Sequence, residues 1–383
     1  MKKSLLTILA DFYHEQLPRK LQKITFPFLY RMYLLSERLY LLVFDIFPEV
    51  NIYRNIRYAE NPELTVLLAG SEKNCRFLLD QLFTSETKTD RRARIPIWKI
   101  PSIDRSQANM VLIEADQCFD RFMTRRGFLA IPEWILFSMD ISMPVDKILK
   151  SAKKGHANNL RLIKKHQFQY EVVRDREKLR FFYDEMYLPY ITGRYGRLTL
   201  LAPFEQMENL MHRGKLLLVK NETEYVSGML IHHETSPPLI CYLGVRGGRK
   251  AYVKQGAISA LYLYTILWAK EQGYRELDFG HCRPLLTDGV LWYKKKWGMR
   301  IQKSMRRYRT VYLSLCKPDA DLNEFLIKNP LICVDGGHFK GIIFVHEGHE
   351  SNHRKIGAIK RKHSISGLEE FEVISLRPPE VRT

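Results

Sequence analysis

Between Lys215 and Phe279 the chain runs through three short apolar segments, a long one and another short one, in an order that leaves few folds open. Lys215 to Lys220, Tyr225 to His232 and Leu239 to Val245 read as strands, with turn residues between them at Asn221 to Glu224 and at Ser236-Pro237-Pro238. Strands joined by such short connections pair antiparallel, so the three form a meander. A basic turn, Arg246-Gly247-Gly248-Arg249-Lys250, then leads to an apolar helix from about Gln255 to Glu271 with Gly273 as its C-cap. A strand from Arg275 to Phe279 follows, and its end, Leu277-Asp278-Phe279-Gly280-His281, carries an acid, a glycine and a histidine. That ending, with the basic-aromatic cluster Trp292-Tyr293-Lys294-Lys295-Lys296-Trp297-Gly298 beyond it, is the composition of a site rather than of a core.

Upstream the pattern is also mixed. Leu64 to Ala69, Met110 to Ile113 and Trp134 to Met139 read as strands, a helix carries Cys75 to Leu82, another runs from about Asp116 to Thr124, and charge-dense Thr84 to Arg94 reads as a loop. After Pro144 a basic helix runs through Lys153, Lys154, His156, Arg161 and Lys165, followed by a strand near Phe168 to Val173 and a helix from Arg176 to Met186. The fold class is therefore α+β. At 383 residues the chain exceeds one ordinary core. The expected division is 1–50, an amphipathic helical region; 51–143, an α/β unit; 144–316, the unit holding the meander; and 317–383, a strand-rich extension.

The formal charge of +19 favours polyanionic partners: nucleic acid, acidic lipid headgroups or a phosphate-bearing substrate. Six cysteines without a CxxC pair read as reduced thiols in a cytosolic protein. From Phe26 to Phe47 the chain is rich in Leu, Tyr and Phe, but Arg31, Glu37, Arg38 and Asp45 interrupt it. That composition predicts an amphipathic helix, packed on its own domain or lying on an anionic membrane, rather than a membrane span. His346-Glu347-Gly348-His349 has one residue too few for the zincin spacing, and no metal site is expected.

The order from Pro144 to Tyr312 resembles the GNAT acyltransferase fold, and within it the Fem-type tandem-GNAT group. Four features carry the resemblance: the Lys153-to-Arg161 basic helix, the Tyr190-to-Gly196 segment, the Leu277-to-Gly280 strand end and Tyr293-to-Gly298. It implies that residues 51–143 are a degenerate GNAT-like unit ahead of the recognisable one.

The resemblance further implies an enzyme that moves an acyl or aminoacyl group to an amine of a cell-envelope or lipid-linked precursor, with acyl-CoA or aminoacyl-tRNA as co-substrate and no tightly bound cofactor. Arg246, Gly247, Gly248, Lys254, Gln255 and Gly256 fall where the donor's phosphates would be held by cations and a helix N-terminus. Val253 and Ile258 depart from the usual coenzyme A loop, so the donor stays open. Asp278 and His281 are the candidates to accept the amine's proton, and Lys294 to meet a phosphate. Tyr190, Arg194 and Tyr195 are the candidates to line the acceptor side, and Tyr293, His156 and Asn159 are further candidates to bind substrate. A non-catalytic module binding RNA or anionic phospholipid through the same basic cleft is the alternative; convergence of Asp278, His281 and Lys294 on one pocket would favour the enzyme.

Overall fold

The computed structural model describes residues 32, 35–36, 38–55, 64–82, 87–91, 94–102, 108–151, 155–195, 201–304, 308–348 and 352–377. The expectations for Lys153, Lys154, Gly196, His349 and residues 1–31 lie outside the described residues, as do those for the side chains of His156 and Tyr195.

The described strands form three sheets. In the first, β1 (Val50–Asn55), β2 (Leu64–Ala69), β3 (Thr87–Arg91), β4 (Met110–Asp116), β5 (Leu129–Pro132) and β13 (Arg309–Leu315) lie in the order β3-β1-β2-β4-β13-β5. β4 is buried at every position, as a near-continuous apolar run paired on both sides should be. The second sheet holds β6 (Ile135–Asp140), β7 (Gln169–Val173), β8 (Gly214–Lys220), β9 (Tyr225–His232), β10 (Leu239–Val245), β11 (Glu276–Cys282) and β12 (Arg300–Gln302), ordered β12-β6-β11-β10-β9-β8-β7. The third is β14 (Leu331–Asp335), β15 (His338–His346) and β16 (Leu368–Leu376).

β8, β9 and β10 are the meander read from the sequence, and β10 connects to β11 through the helix Ala257–Glu271 with parallel pairing. This is a GNAT-like arrangement. The helix is apolar around most of its circumference and accordingly buried along most of its length. One side packs on the second sheet and the other meets the helix Gly155–Lys165.

Position 143/144 does not divide the sheets, whereas all strands of the third sheet lie beyond 316/317. β6 lies N-terminal to 143/144 yet sits inside the second sheet, between β12 and β11, while β13 pairs with β4 and β5 in the first. Each sheet needs a strand from the other's stretch of chain, so the two interlock. The stretch Thr84 to Arg94, expected as a loop, contains β3, which pairs antiparallel with β1. A charge-dense edge strand held by main-chain bonds leaves no apolar alternation to read. The C-terminal extension is strand-rich as expected and adds the helices Ala320–Lys328 and His353–His363. It is joined to the second sheet's connections by Leu286 N–H to Pro330 O (2.9 Å), Ile332 N–H to Pro284 O (2.8 Å) and Ile301 N–H to Ser366 O (2.9 Å).

Candidate active site

β10 and β11 are neighbours at one registered pair, Leu239 and Asp278, where the Asp278 N–H donates to Pro238 O at 2.9 Å. Beyond that pair they part. Each carries an irregularity where it leaves the other: β10 between Ile240 and Tyr242, β11 between Asp278 and His281. Bulges bend a strand and increase its twist, and here they fall on both sides of one opening.

The helix behind the opening is unusual. Arg176–Phe181 continues through a π-helical turn, Phe182–Tyr187, into the helix Leu188–Tyr195. The turn lies directly on β10: a Cβ at Gly244 would come 2.5 Å from the Met186 carbonyl carbon. Gly248, in the turn that follows β10, has φ +61°, and a Cβ there would sit 2.6 Å from Pro189 O. A side chain at Gly248 would be strained and would push the Leu188–Tyr195 helix away.

That helix delivers Tyr190 and Arg194 to one group with Tyr293 and Ser259. Arg194 donates to the Tyr190 hydroxyl at 2.9 Å, and the Tyr293 and Ser259 hydroxyls are 2.9 Å apart. Burial pushes the Tyr293 phenol up to about 12, the Ser259 hydrogen bond opposes the rise, and the nearby Tyr190 and Arg194 act on it in opposite directions. At neutral pH Tyr293 therefore holds its proton. Tyr190 is also raised by burial, with Arg194 opposing the rise. Tyr262 meets the Tyr293 ring edge-on at 5.2 Å and helps fix it. Ser259 lies in the first turn of Ala257–Glu271, so the cluster joins the helix start after β10 to the helix Gly289–Lys296 after β11.

Asp278 and Lys294 both bond main-chain groups of Gly280, while the His281 ring turns to Ser304 and Trp134, so the convergence of all three on one pocket that would have favoured the enzyme is not seen. Asp278, 7% exposed, accepts the Gly280 N–H at 2.7 Å, and Gly280 has φ +71°. His281 Nε2 is 2.8 Å from Ser304 Oγ, and its ring meets Trp134 edge-on at 6.5 Å. Lys294, 3% exposed, donates to the carbonyls of Gly280 and His281 at 3.1 and 3.2 Å and lies over the Phe137 ring. In this geometry its ammonium ties the helix Gly289–Lys296 to the end of β11.

The cationic turn is partly neutralised. Arg246 pairs with Glu224 at 2.5 Å, and Tyr252 donates to the same carboxylate. Arg249, Lys250 and Lys254 are exposed, and Gln255 is half-buried. Gly256, at φ +96°, precedes Ala257–Glu271 as an N-cap without a side-chain hydrogen bond. The start of this long helix thus has no side-chain cap and follows Arg249, Lys250 and Lys254 closely in the chain, a combination that suits an anionic group. Asn159 is half-buried on the neighbouring helix, whose Leu162 meets the Cβ position of Gly256 at 3.3 Å.

Sequence reasoning missed Ser259 and Glu224. Ser259 left a signal, a lone serine in the first turn of an apolar helix; Glu224 sits in a turn, where acids are commonplace. Among the described residues no group of side chains could hold a metal ion.

No family model matches the sequence, and no curated protein matches it. Among solved structures it is similar to FemX, at 15% identity over 69% of this chain and 84% of that one, with a TM-score of 0.37. It is similar to L-PGS from Bacillus licheniformis, at 14% identity over 74% of this chain and 90% of that one, TM-score 0.35. It is also similar to the C-terminal domain of a putative lysylphosphatidylglycerol synthetase from Agrobacterium fabrum, at 12% identity over 72% and 85%, TM-score 0.33. With likenesses this distant, the fold assignment rests on the strand order and on the parting of β10 from β11.

Proposed function

We propose that the protein transfers an acyl or aminoacyl group from an activated donor to an amine, at the opening between β10 and β11. The observation that carries this reading is the convergence of Tyr293, Ser259, Tyr190 and Arg194 beside the start of the helix Ala257–Glu271. The donor's phosphates lie at the uncapped helix start among Arg249, Lys250 and Lys254. The parted strands offer main-chain groups to the donor's extended arm. The amine nitrogen attacks the acyl carbon, the bond from that carbon to the leaving sulfur or oxygen breaks, and the nitrogen loses a proton. Tyr293, kept protonated by burial, gives a proton to the leaving atom, and Ser259 holds the phenol in place. Asp278 and His281 act from the β11 side of the opening, as the receiving end for the amine's proton through water. An amine borne on a cell-envelope or lipid-linked precursor is the acceptor class we propose.

The test is transfer of a labelled group from acyl-CoA and from aminoacyl-tRNA to a panel of amines. Transfer from one donor class, cut sharply in Tyr293→Phe with folding intact, is the expected result. Donor binding without transfer to any amine would favour the non-catalytic alternative, and unchanged transfer in Tyr293→Phe would remove the phenol from the mechanism.

A further inference from the structure

Residues 38–46 form a helix that is amphipathic in the wrong direction for a helix packed on a core. Its inward positions include Arg38 and Asp45. Arg38 holds Asp116 with two 2.7 Å hydrogen bonds, and Asp45 accepts from Arg309 at 2.5 and 2.9 Å. Its outward face is apolar. Tyr40 and Val43 are each 64% exposed, and Leu39, Phe44 and Phe47 about half exposed, with Met32 and Leu35 extending the same stripe upstream. Trp98, on the separate turn Ile97–Ser102, meets Phe47 edge-on at 6.0 Å and widens the patch beyond the helix. A folded chain ordinarily turns such residues inward, and a contiguous apolar patch of this kind marks an interaction surface.

We infer that this face is a bilayer-docking surface for membranes with anionic headgroups, a reading independent of the transferase chemistry. Tyr40, Phe44, Phe47 and Trp98 are the residue types that settle at the boundary between headgroups and acyl chains. Arg94 and Lys99 are exposed on either side of Trp98. Residues 1–31, which lead into the stripe, contain six lysines and arginines against two carboxylates. Cations around an apolar stripe complement acidic lipid. Among the described residues no helix is long and apolar enough to cross a membrane, and the helix 38–46, tied along its polar side by Arg38 and Asp45, offers its apolar side to the plane of the interface. A second copy of the chain is the weaker occupant, because two molecules of formal charge +19 would be brought face to face. The ion pairs of Arg38 and Asp45 hold the polar side on the first sheet and leave the apolar side for lipid.

The experiment is flotation of the full-length protein with vesicles of phosphatidylcholine alone and of phosphatidylcholine mixed with phosphatidylglycerol. Wild type is expected to float with the mixed vesicles, more weakly at high salt, and to show quenching of Trp98 by lipids brominated in the acyl chain. The quenching should disappear in Trp98→Phe. The double variant Tyr40→Ser/Val43→Ser should bind the mixed vesicles about tenfold more weakly at an unchanged Tm, since both side chains are exposed in the protein alone. Failure of the wild type to float, wild-type binding by the double variant, or quenching unaffected by Trp98→Phe would each overturn the proposal. So would a dimer that the double variant dissolves while vesicle binding is absent, which would identify a second copy as the occupant.

Discussion

The first and second sheets both bury polar groups, but they dispose of them differently. In the first, Arg309 lies between Asp45 and Glu114, and Glu114 also accepts from Ser71 N–H and Asn74 Nδ2. Tyr312 donates to Asp116 O and to Asp120 at 2.9 and 2.8 Å. Burial pulls the Arg309 guanidinium down, but Glu114 and Asp45 outweigh it and leave it raised; burial pushes Asp45 up against the opposing pull of Arg309. These charges neutralise one another around strands with continuous neighbours. In the second sheet the comparable cluster is neutral phenols and a hydroxyl with one guanidinium, and it lies where two strands part. Paired charges in a continuous sheet act as scaffold; proton-holding groups at a break in a sheet are available for chemistry.

The largest expected effect comes from breaking the scaffold. Arg309→Met leaves Asp45 and Glu114 facing each other without a cation, and should cost about 3–5 kcal/mol in urea unfolding. Tyr293→Phe should do the reverse. Its stability should stay within about 1 kcal/mol of wild type, while kcat for transfer falls roughly a hundredfold through loss of the proton donor. Gly248→Ala tests the positioning of Tyr190 and Arg194, since the added Cβ collides with Pro189 O. Transfer should drop about tenfold, with a stability cost of about 1–3 kcal/mol.

The smallest effect is a pH dependence. His363 Nδ1 lies 3.0 Å from Leu286 O, and burial lowers its pKa below the ordinary value, with the Leu286 carbonyl opposing. A histidine depressed in the folded state contributes stability above its unfolded pKa that is lost as pH falls through the folded one. Tm should therefore fall as pH drops below about 6.5, the ordinary histidine value, and less so in His363→Gln. The remaining slope includes His233, which burial lowers in the same way.

Much of the second sheet was legible because its strands are short apolar runs cut by turn residues. Tyr225–His232 and Leu239–Val245 fall where the sequence puts them, and Gly273, at φ +80°, follows the long helix. The exchange of β6 and β13 between sheets was not legible, because an apolar strand such as ILFSMD carries no mark of which edge it joins. The aromatic-rich helix beginning at Arg176 gave no sign of a π-helical turn, which lies closely against β10 at Gly244. At the site, the resemblance pointed to Lys294 as a phosphate contact, but side-chain direction decides, and its ammonium meets the Gly280 and His281 carbonyls. Tyr190 and Arg194 were named for the acceptor side and Tyr293 for binding substrate; in the structure Arg194 donates to the Tyr190 hydroxyl and both lie near Tyr293.

The central claim is that the opening between β10 and β11 receives the donor. Hydrogen–deuterium exchange with acyl-CoA and with aminoacyl-tRNA addresses it most directly. Protection by one donor concentrated in residues 240–248 and in the first turn of Ala257–Glu271, weakened by Gly248→Ala, is the predicted result. Protection by the donor confined to the first sheet or to the third, with 240–248 unchanged, would contradict it.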